Sequence, residues 1–205
     1  MLTMRSESQA GFTLLEVLIT LIILAVGMLG LANLQSKIHV TEVESYQRAH
    51  AVLLLQDMVD RISSNRSTDA AGVYAGAIVL GTGTTEDCAA ATLAAVTPAT
   101  AKLAANDRCE WSNALLGASE KRGGGNVGGM IGARGCIEEV QAPDNTPGVC
   151  TPGIYRVTVA WQGLHKTSVP ALDCGKDLYG GASNDSMRRV ISTTVSIGLP
   201  RCTNP

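Results

Sequence analysis

From Phe12 to Leu34 the chain reads FTLLEVLITLIILAVGMLGLANL, an almost wholly apolar run in which Glu16 is the one ionisable group. As a helix these residues would extend ~35 Å, enough for a hydrocarbon core of ~30 Å. Helical periodicity continues beyond Leu34 but turns amphipathic. Val40, Val43, Ala51, Leu55, Met58, Val59 and Ile62 recur at helical spacings, with Glu42, Glu44, Arg48, Asp57 and Arg61 between them. Ser63-Ser64-Asn65 closes the pattern. The spacing predicts one helix over about 13–62, half membrane span and half packing surface.

Three readings fit this segment. In the first it is a secretory signal with Arg5 ahead of the apolar run and a small-residue cleavage site at Ala25-Val26-Gly27 or Gly30-Leu31-Ala32. The second is a plain single-pass anchor. In the third the chain is cut ahead of the run and keeps the span. Energy alone leaves a tolerated interfacial Glu16 open. A carboxylate at the centre of a membrane helix costs roughly 2.5–3.5 kcal/mol, and one near the end can snorkel at lower cost.

Composition narrows the rest. The 205 residues suit one domain or one domain with an appendage. Aromatic residues are 3% of the chain, with a single Phe, so the core must rest on Ala, Val, Ile and Leu. The net charge of −2 shows no basic stripe of the kind nucleic-acid binders carry. Cys88, Cys109, Cys136, Cys150, Cys174 and Cys202 all lie downstream of the apolar run. Their even number on one side of a membrane segment predicts disulfides in an oxidising compartment. With no C-x-x-C pair, zinc-ribbon and thioredoxin-type sites are poorly supported. Sequence leaves the connectivity open; pairing of neighbours, 88–109, 136–150 and 174–202, is the expectation taken here because each pair falls within one loop or hairpin unit.

Residues 63–97 read as irregular. A short helix is expected from Pro98 to about Leu116, carrying Asp107, Cys109, Glu110 and Trp111, then a glycine-rich loop from Gly123 to Gly135. Three strands follow, at 136–140, 153–162 and 188–197, the last two alternating and rich in β-branched residues. The Pro- and Gly-dense 141–153 link suits a hairpin, and 163–187 is a longer loop holding Cys174. The expected class is α+β, a long helix on an antiparallel sheet of at least three strands.

Other sites find little support. Gly123-Gly124-Gly125-Asn126-Val127-Gly128 spells G-x-G-x-x-G but lacks the strand and helix that a dinucleotide fingerprint needs. His39 and His50 stand ~16 Å apart along one helix and cannot share a metal. No H-E-x-x-H or G-x-S-x-G occurs, and nothing recommends a Ser/His/Asp triad. Trp111, Tyr155 and Trp161 read as core or strand-face residues, and Arg188-Arg189 as a solvated strand start, with an interface role as the alternative.

The string Gly11-Phe12-Thr13-Leu14-Leu15-Glu16 resembles the leader junction of type IV prepilins and of type II secretion pseudopilins, a short leader ending in Gly followed by Phe-Thr-Leu-Leu-Glu. The resemblance implies that residues 1–11 are a leader removed by a prepilin peptidase between Gly11 and Phe12. Phe12 then becomes the N-methylated terminus, and Glu16 attracts the N-terminal amine of a neighbouring subunit. It divides the chain into 12–34, the membrane half of the helix, 35–63, its amphipathic half, and 64–205, the pilin head. Where many major pilins carry a Pro, this helix has Gly27 and Gly30, the stretch expected to unwind most readily in a filament.

More narrowly, the N-terminal string, the Asp107…Glu110-Trp111 segment, Tyr155–Gln162 and Arg188–Val195 resemble minor pilins of the type IV pilus modification family. That resemblance implies a non-enzymatic subunit without cofactor, metal, nucleic acid or small-molecule substrate. Its partners would be the peptidase, other minor pilins, the major pilin, the inner-membrane assembly platform and a tip adhesin. Its place would be the inner membrane with the head in the periplasm, then the pilus at the cell surface. A pseudopilin, and a periplasmic enzyme or binding module with an ordinary signal peptide, are the alternatives.

Overall fold

In the computed structural model, residues 11–144, 146–179 and 185–197 are described, without the side chain of Ala77. Residues 1–10, most of the expected leader, and Cys202 lie outside them. The chain divides into two compact units, 1–43 and 44–205. Helix α1 (Leu14–Ser64) is continuous and passes unbroken through Gly27 and Gly30.

In the larger unit, α1 is followed by α2 (Thr68–Tyr74), β1 (Gly76–Gly81), α3 (Ala90–Ala95), α4 (Ala99–Leu115), a minimal hairpin of β2 (Lys121–Arg122) and β3 (Gly125–Asn126), then β4 (Arg134–Gln141), β5 (Gly153–Gln162) and β6 (Arg188–Ile197). A four-stranded antiparallel sheet in the order β1-β4-β5-β6 gives the expected α+β class, with one strand more than the sequence reading counted. The β4–β5 connection is the predicted hairpin link, and β5–β6 keeps one register over all ten pairs from Gly153↔Ile197 to Gln162↔Arg188.

One face of the sheet packs on α1 and α4. Along α1 the buried stripe is Gln47, Ala51, Leu54, Leu55, Met58 and Ile62. It meets Tyr155, Val157, Val159 and Trp161, the inward alternate positions of β5. Val40 and Val43, which periodicity placed on the packing stripe, are exposed, and burial begins at Gln47. The pattern runs on past the buried stretch, because apolar spacing marks a face without marking its occupant.

Trp111, fully buried on α4, donates its indole N–H to the carbonyl of Leu54 at 2.8 Å and so ties α4 to α1. Its ring abuts β4 at Gly135, where a Cβ would come within 2.4 Å of it; only glycine fits. Polar groups complete the tie. Arg61 of α1 reaches Asp57 at 3.1 Å, Asp107 at 3.0 Å and Glu110 at 2.6 Å, while the Tyr74 hydroxyl donates to Asp107. The Ser112 hydroxyl accepts from the Gly81 N–H at 2.9 Å, joining α4 to β1.

The opposite face of the sheet is partly covered by the loop after β5. Cys174 and Tyr179 pack there on Cys136 and Ala160, and the Tyr179 hydroxyl donates to the Gly132 carbonyl at 2.7 Å. Cys88–Cys109 and Cys136–Cys174 are disulfides in which both partners are described residues. The first is the expected neighbour pair. The second corrects both other expected pairs, 136–150 and 174–202, since Cys136 joins Cys174. Cys150 is itself disulfide-bonded. The neighbour rule failed because β4 and the β5–β6 loop are adjacent across the sheet, a proximity that sequence separation does not reveal.

Arg188 and Arg189 also differ from expectation. Arg188 is 1% exposed. It is paired with Asp185 at 2.8 Å and donates to the carbonyls of Cys174 at 2.9 Å and Pro170 at 3.1 Å. Arg189 joins Glu44 at 3.2 Å, and the same Glu44 oxygen accepts from the Leu164 N–H at 2.9 Å. Two arginines at a strand start look solvent-facing only until the loop they organise is in place. Residues 63–97, read as irregular, hold α2, β1 and α3. The signal for α2 was legible in Ser67, whose hydroxyl caps it by accepting from the Ala70 N–H at 3.1 Å.

Three phenols inside this core resist ionisation. Burial raises the pKa of Tyr74, helped by its bond to Asp107, and burial raises that of Tyr179. Tyr155 is pushed up to about 12 by burial and then by Glu139. The unfolded chain ionises these groups near pH ~10, so it loses protons before the fold does. The stability they contribute is therefore fully present below pH ~10 and declines as pH rises toward the folded values. The denaturation midpoint should hold level up to pH ~10 and fall above it. Tyr155→Phe should shallow that fall, and an unchanged slope would show that Tyr155 does not contribute to it.

Candidate processing and assembly site

The N-terminal residues are built by one local device. Gly11, Phe12 and Thr13 are non-helical and exposed, and α1 begins at Leu14. Thr13 caps it: the Glu16 N–H reaches the Thr13 carbonyl at 3.1 Å and the Thr13 hydroxyl at 3.3 Å, and the Val17 N–H reaches the same carbonyl at 3.3 Å. Thr13-Leu-Leu-Glu16 has the spacing of a capping box, a signal present in the sequence but absent from the reading above. Glu16 thus lies in the first helical turn, where the helix dipole favours a negative charge.

Beyond it no side chain of the apolar run is covered. Phe12 is 83% exposed and Leu29 72%, and the large hydrophobic residues between them are exposed as well. A helix apolar on all sides and bare of contacts needs lipid or other helices around it. Among the described residues, α1 is the one helix long and apolar enough to cross a membrane. Glu16, Thr20, Ile23, Gly27, Gly30 and Leu34 follow at spacings of four, three, four, three and four, so they share one face. The Thr20 hydroxyl is turned back onto its own helix, donating to the Val17 carbonyl at 2.8 Å. Nothing lies within 4 Å of the Cβ positions of Gly27 and Gly30, which leaves room for a backbone to approach closely.

Residues 8–32 match the family model for the prokaryotic N-terminal methylation motif. The N-terminal segment is type IV prepilin-like. No curated protein and no solved structure matches the chain. The matched stretch includes Gly11, Phe12 and Glu16, and a prepilin-type motif implies processing by a prepilin peptidase and assembly with other pilins into a pilus or pseudopilus. Together with the long apolar helix it fits a pilin anchored in the inner membrane.

The remaining candidates take structural places. Trp111, Tyr155 and Trp161 are buried in the core. His39 lies 3.3 Å from Glu42, His50 stacks on Tyr46, and His165 lies 3.0 Å from Glu44. Among the described residues no cluster of three or more His, Cys, Asp or Glu is placed to hold a metal. A cleft of about 200 Å³ beside the Cys136–Cys174 bridge has Glu138 and Asp173 in its wall. These two carboxylates are paired with Arg156 and Lys176, at 3.4 Å and 3.2 Å.

Proposed function

We propose that this chain is a minor pilin resembling PilV, the type IV pilus modification protein. It is a non-enzymatic subunit that primes pilus assembly with other minor pilins and stays at or near the tip, supporting twitching motility and adhesion. The observation that carries this reading is a helix with no covering partner along its apolar half and a single carboxylate in its first turn. Such a helix is complete only among others of its kind. In the bilayer, Glu16 and the N-terminal amine of a neighbour each offset the desolvation of the other. The Gly27/Gly30 face supports close helix approach, and the disulfide-braced head presents its loops outside the membrane.

Two experiments test it. N-terminal sequencing of the mature protein should give N-methyl-Phe at position 12; a start at Met28 or Asn33 would sink the reading. Glu16→Ala should insert and be cleaved normally, yet its incorporation into pili should fall roughly tenfold or more, since an amine left without its partner costs about 2 kcal/mol or more. Unchanged incorporation would remove the role given to Glu16. The type II secretion pseudopilin shares the motif and is the second reading. Deletion separates the two: loss of surface pili supports the minor pilin, loss of protein secretion the pseudopilin.

A further inference from the structure

We propose that Thr13 is a positioning residue for cleavage at Gly11–Phe12: by stopping the helix at Leu14 it keeps the scissile peptide in the extended form a peptidase engages. The proposal rests on the prepilin reading above. In the cleavage, water adds across the Gly11–Phe12 amide, leaving a carboxylate on Gly11 and an ammonium group on Phe12. That requires the Gly11 carbonyl to be open to attack. Inside a helix it would instead accept the N–H of Leu15 and sit against the turn above.

The structure holds the bond clear of that arrangement. Gly11 and Phe12 are exposed, and neither hydrogen-bonds to another described residue. The Glu16 N–H, which in a longer helix would reach the Phe12 carbonyl, ends instead on the Thr13 carbonyl at 3.1 Å and the Thr13 hydroxyl at 3.3 Å. The residues ahead do little to stop a helix by themselves. Ser8-Gln9-Ala10 includes two good helix formers, and Gly11 only weakens a helix without ending it. A low-dielectric surface favours further helix, because it penalises every unpaired backbone group. The Thr13 cap is therefore the local feature that ends the helix two residues past the scissile bond. Independently, the match over residues 8–32 spans this bond and supports a processing step within that stretch.

The full-length chain in detergent micelles, mixed with membranes containing a prepilin peptidase, tests this with Thr13→Ser and Thr13→Val. Serine keeps the capping hydroxyl, whereas valine keeps the shape and loses it. Thr13→Ser should be cut like the parent chain. Thr13→Val should show a KM raised roughly five-fold with kcat unchanged, because loss of one cap shrinks the fraction of substrate in the extended form. The backbone carbon shifts of Gly11 and Phe12 should move toward helical values in the same variant. Equal kinetics for valine and serine would overturn the proposal alone, as would a lowered kcat at constant KM with shifts that stay extended. A parent chain left uncut would overturn the prepilin reading and this proposal with it.

Discussion

Trp111→Ala should lower the stability of the larger unit by about 3–5 kcal/mol, the range for removing a buried aromatic ring from a close-packed core. Trp111 has no exposed surface, lies against Gly135 and joins α4 to α1 through the Leu54 carbonyl. Shrinking the ring to Ala leaves a cavity beside a glycine that has no side chain to fill it. A small domain holds only about 5–15 kcal/mol in all, so this one change removes a large share. Trp111→Phe keeps most of the ring and loses the indole donor, and should cost about 1–2 kcal/mol. Denaturant melts of the detergent-solubilised protein, followed by circular dichroism, measure both. A loss under about 1 kcal/mol for Trp111→Ala would mean that the α1–α4–β4 junction is not the centre of the core.

The second large effect is expected at Arg188. Arg188→Met keeps the apolar stem but strands the Asp185 carboxylate, 4% exposed, and removes the donor from the carbonyls of Pro170 and Cys174. Removing one partner of a buried ion pair costs about 3–5 kcal/mol because the remaining charge has no water to turn to. Adding Asp185→Asn should recover part of that loss, and the double-mutant cycle gives the coupling directly. The loop after β5 should also become open to proteolysis, with Cys136–Cys174 as the tie that still holds it. A cycle showing no coupling would sink the assignment of Arg188 as the organiser of this loop.

The sequence by itself determined what depends on neighbours along the chain. Helix α1 was legible to within two residues at either end, because apolar spacing and a terminal Ser-Ser-Asn need nothing distant. Strands β5 and β6 were legible residue for residue, since alternation of β-branched residues is a local pattern that the ladder then pairs without a slip. The methylation motif is a contiguous string, and the Thr13 cap within it is written there too, in Thr-x-x-Glu. What only the tertiary structure decided depends on which elements meet. Cys136 found Cys174 because β4 and the β5–β6 loop share a sheet face, 38 residues apart in the chain. Arg188 went inside because the carbonyls of Pro170, Leu172 and Cys174 and the Asp185 carboxylate converge where it enters β6, whereas Val40, on the same apolar spacing as the buried stripe, is exposed. Periodicity tells a residue which way to face; burial is settled by what arrives on that face.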